Sequence, residues 1–272
     1  MLLDVDGVRI AAETFGSAGD PAVLLIAGAG ASMDWWEPEF CTRLAAAGRH
    51  VIRYDHRDTG ESESYPPGRP GYRADRLHLD AVGVLDALGV ERAHVVGMSA
   101  GGGIAQVLAL TVPDRLRSLT LMSTSGGPGD EDLPAGHLPA VAAPDWADRA
   151  AVVEWLVEYQ RALASPSRPY DAAAVREVAR IAIARTASPE SAETNHYAAE
   201  GGESAWRGRL PTITTPTLVL HGDEDPAFPL PHGEALAREI PNARLVVLPR
   251  TGHEFPRENW PVVLQELIAH TE

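Results

Sequence analysis

Apolar positions recur along this chain in two alternating rhythms. Short unbroken apolar runs, bounded by glycine, proline or charge, alternate with longer stretches in which apolar residues return every three or four positions. The first rhythm predicts strands buried on both faces, and the second predicts amphipathic helices that cover them. The runs "GVRIAAETF" (7–15), "AVLLIAG" (22–28), "HVIRYD" (50–55), "RAHVVGM" (92–98), "LRSLTLMST" (116–124), "PTLVLHG" (216–222) and "ARLVVLP" (243–249) read as strands. The stretches "DRLHLDAVGVLDALGV" (75–90), "GIAQVLALTV" (103–112) and "NWPVVLQELIAH" (259–270) read as helices. This alternation predicts an α/β protein, with a mostly parallel central sheet flanked by helices.

The alternation is interrupted once, from Ser125 to Arg209. A loop rich in glycine and proline, 125–144, leads into three helical runs at 148–164, 170–187 and 188–202. The segment carries Trp146, Trp155, Tyr159, Tyr170, Tyr197 and Trp206. We read 1–124 and 210–272 as one core domain, and 125–209 as a helical insertion over the sheet. Aromatics at helical spacing are by default packing residues or part of an interface. His196 and Tyr197 differ, because they end a helix where the insertion returns to the sheet. They are expected to face a pocket.

One stretch carries chemistry. "GMSAG" (97–101) fits G-x-S-x-G between an apolar strand and a helix. A strand that turns at once into a helix strains the corner residue and lifts its side chain above the sheet. Small residues two positions to either side let the two backbones approach. Ser99 is therefore the candidate nucleophile, at a helix N-terminus whose N–H groups favour developing negative charge. A serine hydroxyl needs a base, and the base needs an orienting carboxylate. In folds of this type the chain order is Ser, acid, His. "PTLVLHGDEDP" and "RTGHEF" follow successive strands, on the sheet edge that carries Ser99. His253 is the expected base and Asp225 the expected acid, with Asp223 and Glu224 as rivals. The oxyanion donors are expected to be the amides of Ala100 and of Ala29, the latter in the glycine-rich turn "AGAGAS" after the strand at 22–28. In "YDHRDTGES" (54–62), Arg57 and Asp58 are expected to brace the site, with a substrate-carboxylate clamp at Arg57 as the alternative. His56, His94, His221 and His232 are expected to be structural.

Composition narrows the field. All 23 basic residues are Arg, so lysine Schiff-base chemistry and a Walker-type phosphate loop are excluded. No Cys, His, Asp or Glu spacing suits a metal, and no cofactor is expected. A net charge of -15 argues against nucleic acid and anionic membranes as partners. No apolar run approaches the ~18 residues of a membrane span, and the start lacks the pattern of a secretory signal. The single cysteine, Cys41, reads as a small core residue and fits a reducing, cytoplasmic compartment.

Together, "GMSAG", "IRYDHRDTGES", "PTLVLHGDEDPAFPLPHG" and the late "TGH" resemble the α/β-hydrolase fold superfamily, over nearly the whole chain. Within it the chain is similar to the aclacinomycin methylesterases, on "HVIRYDHRDTG", "RAHVVGMS" and the "PTLVL" segment. Many members have His-Gly where this chain has Ala27-Gly28; the methylesterase group also lacks that histidine. The resemblance implies an α/β-hydrolase fold with a helical cap, and a triad of Ser99, Asp225 and His253 served by the amides of Ala29 and Ala100. It implies a serine hydrolase that cleaves a carboxylic ester through an acyl-enzyme, with a methyl ester of a bulky polyketide-like molecule as one candidate substrate. Thioester, lactone and carbon–carbon bond cleavage and perhydrolysis stay open on the same residues, as does a non-catalytic binding protein. Gly28, Trp155, His196 and Tyr197 are the expected substrate-binding residues. The expected partner is a small-molecule ester, and the chain is expected to be a monomer or homodimer.

Overall fold

A computed structural model describes residues 1–127, 132–201 and 206–272. Parts of the loop 125–144 and of the run 188–202 therefore lie outside the described residues. The strands are β1 (Leu2–Val5), β2 (Val8–Phe15), β3 (Ala22–Ile26), β4 (His50–Tyr54), β5 (Ala93–Met98), β6 (Leu116–Met122), β7 (Thr217–Gly222) and β8 (Arg244–Leu248). They form one sheet in the order β1-β2-β4-β3-β5-β6-β7-β8. The pairs β1–β2 and β2–β4 are antiparallel, and all the others are parallel.

The helices of the sheet region are α1 (Pro38–Ala46), α2 (Arg76–Ala87), α3 (Ala100–Thr111), α7 (Pro231–Glu239) and α8 (Trp260–His270). Alternation along the central strands decides which helix meets which face. In β3, Ala22, Leu24 and Ile26 pack with Ala81 and Val84 of α2, Leu108 of α3 and Leu236 of α7. Val23 and Leu25 point the other way, onto Phe40 and Leu44 of α1 and Val263 and Leu267 of α8. Because both faces are covered, β3 is apolar throughout.

Among the described residues, three more α-helices lie between β6 and β7: α4 (Arg149–Leu163), α5 (Ala172–Arg185) and α6 (Pro189–Ala198). Asp148 and Asp171 accept hydrogen bonds from the first free amides of α4 and α5, and Ser188 does the same for α6. Val152, Val153 and Leu156 of α4 meet Ala179 and Ile183 of α5 in a small core of their own. Among the described residues, no helix is long and apolar enough to cross a membrane.

The structure adds elements that the apolar rhythm does not predict. β1 precedes the expected first strand, joined to it by Asp6-Gly7, with φ of 51° and 78°, the tight turn that this dipeptide favours. Helix α1 starts at Pro38 and buries Cys41. Burial pushes the Cys41 thiol up to about 12, which keeps it protonated and unreactive.

Candidate active site

Ser99 follows the last residue of β5 and precedes the first of α3. Its backbone has φ 54° and ψ -122°, a left-handed conformation that strains a residue with a side chain. Neighbours hold it there. Its N–H donates to Met122 C=O of β6 (2.9 Å), and its own C=O accepts from the Thr124 hydroxyl (2.8 Å) and the Gly102 N–H (2.9 Å). The corner is also crowded. A Cβ on Gly97 would collide with Gly101 O and stand 2.7 Å from Gly102 N; one on Gly101 would stand 2.5 Å from Ala27 O and closer to Ile26 O. Only glycine lets β5, α3 and the end of β3 meet so tightly.

The Ser99 Oγ lies 2.9 Å from His253 Nε2, and His253 Nδ1 lies 2.9 Å from Asp225 Oδ2. A carboxylate accepts, so Nδ1 carries the proton, and Nε2 presents a lone pair to the serine hydroxyl. The other Asp225 oxygen accepts from the amides of Ala227 (2.9 Å) and Phe228 (2.8 Å), which fixes the carboxylate's orientation. The Phe228 ring stands edge-on to the His253 ring at 5.5 Å. The rival acids are held elsewhere: Asp223 accepts from the Thr251 amide, and Glu224 accepts from the hydroxyls of Ser165 and Ser167.

The loop between α4 and α5 grips the histidine loop. The His253 N–H donates to Leu163 C=O (2.8 Å), the Ser165 N–H donates to Glu254 (3.0 Å), and Arg168 pairs with Glu254 and Glu258. At the other end of the insertion, Arg185 of α5 reaches Asp34 (2.5 Å) and the fully buried Asp55 (2.6 Å). Both contacts tie the inserted helices to loops that surround Ser99.

Ser99 and His253 line a cavity of about 430 Å³ between the sheet edge and the inserted helices. Its walls are largely apolar, with Trp35, Trp36, Met98, Val175, Val178 and Phe255 among them, and the hydroxyl-bearing rings of Tyr159, Tyr170 and Tyr197 join from the insertion. Of the residues expected to bind substrate, Gly28 and Tyr197 line this cavity, as does Ala29. Trp155 does not. It stands behind the wall, stacked on Tyr159 (5.2 Å) and edge-on to Trp146 (5.4 Å). His196 does not line it either, because backbone groups take both of its ring nitrogens: Nδ1 faces Gly30 N (3.1 Å) and Nε2 faces Arg57 O (2.8 Å). Among the described residues, no acceptor meets the amides of Ala29 or Ala100. The Arg57 side chain is committed to a buried two-bond pair with Asp80 (2.6 and 2.7 Å), and it does not line the cavity. Asp58 accepts from the Tyr72 hydroxyl and the Tyr65 amide. His56, His94, His221 and His232 each hold a protein group nearby. Among the described residues, no cluster is arranged to hold a metal.

Chain order, sheet edge and elbow geometry converge with a direct match. The family model described as the alpha/beta hydrolase fold covers residues 21–259. The chain belongs to the α/β-hydrolase fold family. Within that family it is 36% identical to the rhodomycin D methylesterase of Streptomyces sp. (strain C5), over 99% of this chain and 97% of that protein. It is 35% identical to the rhodomycin D methylesterase of Streptomyces peucetius, over 98% and 96%. The crystal structure of the enol-lactonase from Burkholderia xenovorans LB400 superposes with a TM-score of 0.78 at 24% identity, covering 99% of each chain. That last likeness concerns the α/β-hydrolase fold alone.

Proposed function

We propose that this α/β-hydrolase cleaves a carboxylic ester through an acyl-enzyme on Ser99, with His253 as general base and acid and Asp225 as the carboxylate that holds the imidazole. The observation that carries the reading is the continuous hydrogen-bonded line from Ser99 Oγ through His253 to Asp225, with the serine held at a strained corner beneath a largely apolar cavity. In the first step Ser99 Oγ bonds to the ester carbonyl carbon, and its proton passes to His253 Nε2. The carbonyl oxygen becomes an oxyanion, which the amides of Ala29 and Ala100 receive. Collapse breaks the bond to the alkoxy oxygen, and His253 returns the proton to it, releasing the alcohol. Water then loses a proton to His253 as it attacks the acyl carbon; the bond from that carbon to Ser99 Oγ breaks, and His253 passes the proton to Oγ, freeing the acid and Ser99.

The substrate we assign is a bulky, apolar, aromatic acid esterified to a small alcohol. The cavity volume falls within the ~300–1,000 Å³ of sites for drug-sized ligands, and aromatic rings form much of its wall. Its whole-length likeness to two methylesterases supports a methyl ester. Residues 125–209 act in this reading as a cap that shapes the pocket. The test is a substrate panel of 4-nitrophenyl acetate and the methyl esters, thioesters and lactones of polycyclic aromatic acids, run on wild type and Ser99→Ala. The reading expects methyl ester hydrolysis that Ser99→Ala abolishes. Turnover of thioesters or lactones with no ester turnover would overturn the assigned substrate, and equal activity in Ser99→Ala would overturn the mechanism.

A further inference from the structure

The turn Ala27–Gly30 is held from both ends by two histidine rings. His56 Nε2 lies 3.1 Å from Ala27 O, and His196 Nδ1 lies 3.1 Å from Gly30 N. The partners fix both tautomers. A carbonyl only accepts, so His56 carries its proton on Nε2. An amide only donates, so His196 Nδ1 carries none; its proton is on Nε2, which donates to Arg57 O (2.8 Å). The two rings meet edge to face, 5.5 Å apart at 89°. His56 and Arg57 are consecutive, and the Arg57 side chain is locked on Asp80. The result is a closed frame. It runs from Ala27 to His56, along the chain to Arg57, across to His196 and back to Gly30.

This frame has a mechanical consequence. The turn inside it contains Gly28 and Gly30, the latter at φ 70°, and glycine offers little resistance to rotation of a neighbouring peptide. An unrestrained turn would let the amide of Ala29 rotate away from the carbonyl oxygen of a bound ester. We propose that His196 and His56 are positioning residues that hold the Ala27–Gly30 turn in register with Ser99, so that the inserted helical segment helps to set the second oxyanion donor. The inference rests on the proposed function, because the oxyanion arises only if Ser99 attacks a carbonyl. It gives His196 of α6 a part in catalysis although the ring touches no substrate.

The experiment compares three replacements of His196 with wild type and Ser99→Ala, using 4-nitrophenyl acetate for kcat and KM and a trifluoromethyl ketone as a tetrahedral-adduct inhibitor. Asparagine puts an amide oxygen where Nδ1 stood and can accept from Gly30; glutamine puts its amide where Nε2 stood and can serve only Arg57. His196→Ala and His196→Gln are expected to lose kcat by about tenfold or more, with a matching loss of affinity for the ketone. Their KM is expected to stay within about twofold, and His196→Asn to stay within about threefold of wild type in kcat. If His196→Ala does not fold, the contrast between Asn and Gln decides, each checked by its circular dichroism and melting temperature. Equal kcat in Asn and Gln, or a loss confined to KM, would overturn the frame while leaving Ser99 as nucleophile. Activity that survives in Ser99→Ala would overturn the hydrolase reading, and the frame with it.

Discussion

Replacing Gly101 by alanine tests whether the close approach of α3 to β3 sets the chemistry. A methyl group there would stand 2.5 Å from Ala27 O and closer still to Ile26 O, both backbone atoms that cannot swing aside. Ordinary contact requires the end of β3 to recede by about 1 Å from the start of α3. That boundary separates the two expected oxyanion donors: Ala29 follows β3, and Ala100 starts α3. A displacement of this size costs on the order of 100-fold in rate when it separates groups that act on one atom. Overpacking also destabilises by roughly 1–3 kcal/mol, which lowers Tm by several degrees in a chain of this size. Gly103→Ala is the internal control two residues along the same helix. Its methyl group would meet Trp206 at 3.5 Å, an ordinary contact, and helix propensity predicts a gain of roughly 0.5–1 kcal/mol. The assay is kcat/KM for 4-nitrophenyl acetate on the folded fraction, with Tm from calorimetry. Gly101→Ala should lose about two orders of magnitude while Gly103→Ala keeps its activity. Wild-type activity and Tm in Gly101→Ala would refute the claim that this contact sets the site.

Asp225→Asn should lower kcat by roughly 10³–10⁴-fold with little change in Tm, since the amide can hold the imidazole in the wrong tautomer; retained kcat would remove Asp225 from its assigned role. Arg185→Met should cost about 3 kcal/mol, because it leaves Asp55 and Asp34 buried without their cation; an unchanged urea midpoint at neutral pH would show that the pair contributes nothing. His56→Gln keeps a donor for Ala27 O but cannot titrate. Burial and the neighbouring His196 lower the His56 pKa from 6.5 to about 3. The unfolded chain therefore binds a proton that the folded chain does not, and stability falls as pH drops from 6.5 towards 3. The variant should lose about 1.4 kcal/mol per pH unit of that slope, read as the difference from wild type in urea unfolding between pH 6 and 4; parallel profiles would contradict a neutral buried His56.

The sheet is readable in the sequence where burial on both faces leaves an unbroken apolar run, as in β3 and in Leu218–Leu220 of β7. β1 escaped because its four residues, Leu2–Val5, are half exposed and include Asp4, although Asp6-Gly7 marked a hairpin turn. Ser99, Asp225 and His253 stood out because each sits just past a strand end in a fixed order, and the structure brings their side chains within 2.9 Å of one another in line. Residues that act through the backbone left no such trace. His196 looked like a pocket residue because it closes a helix near the sheet; its partners, Gly30 and Arg57, lie 166 and 139 positions away and present only an amide and a carbonyl. Nothing in residue type marks Leu163 as the acceptor for the His253 amide. Aromatic content alone does not separate a pocket wall from packing: Trp155 has Trp146 and Tyr159 as packing partners, one on each side.

The most direct test of the account is to trap the acyl-enzyme. Acid quench of the reaction with a slowly deacylating 4-nitrophenyl ester, followed by peptide mass spectrometry, should find the acyl mass on the peptide that contains Ser99 and none in Ser99→Ala. An unmodified Ser99 peptide during steady turnover, together with full activity in Ser99→Ala, would contradict it.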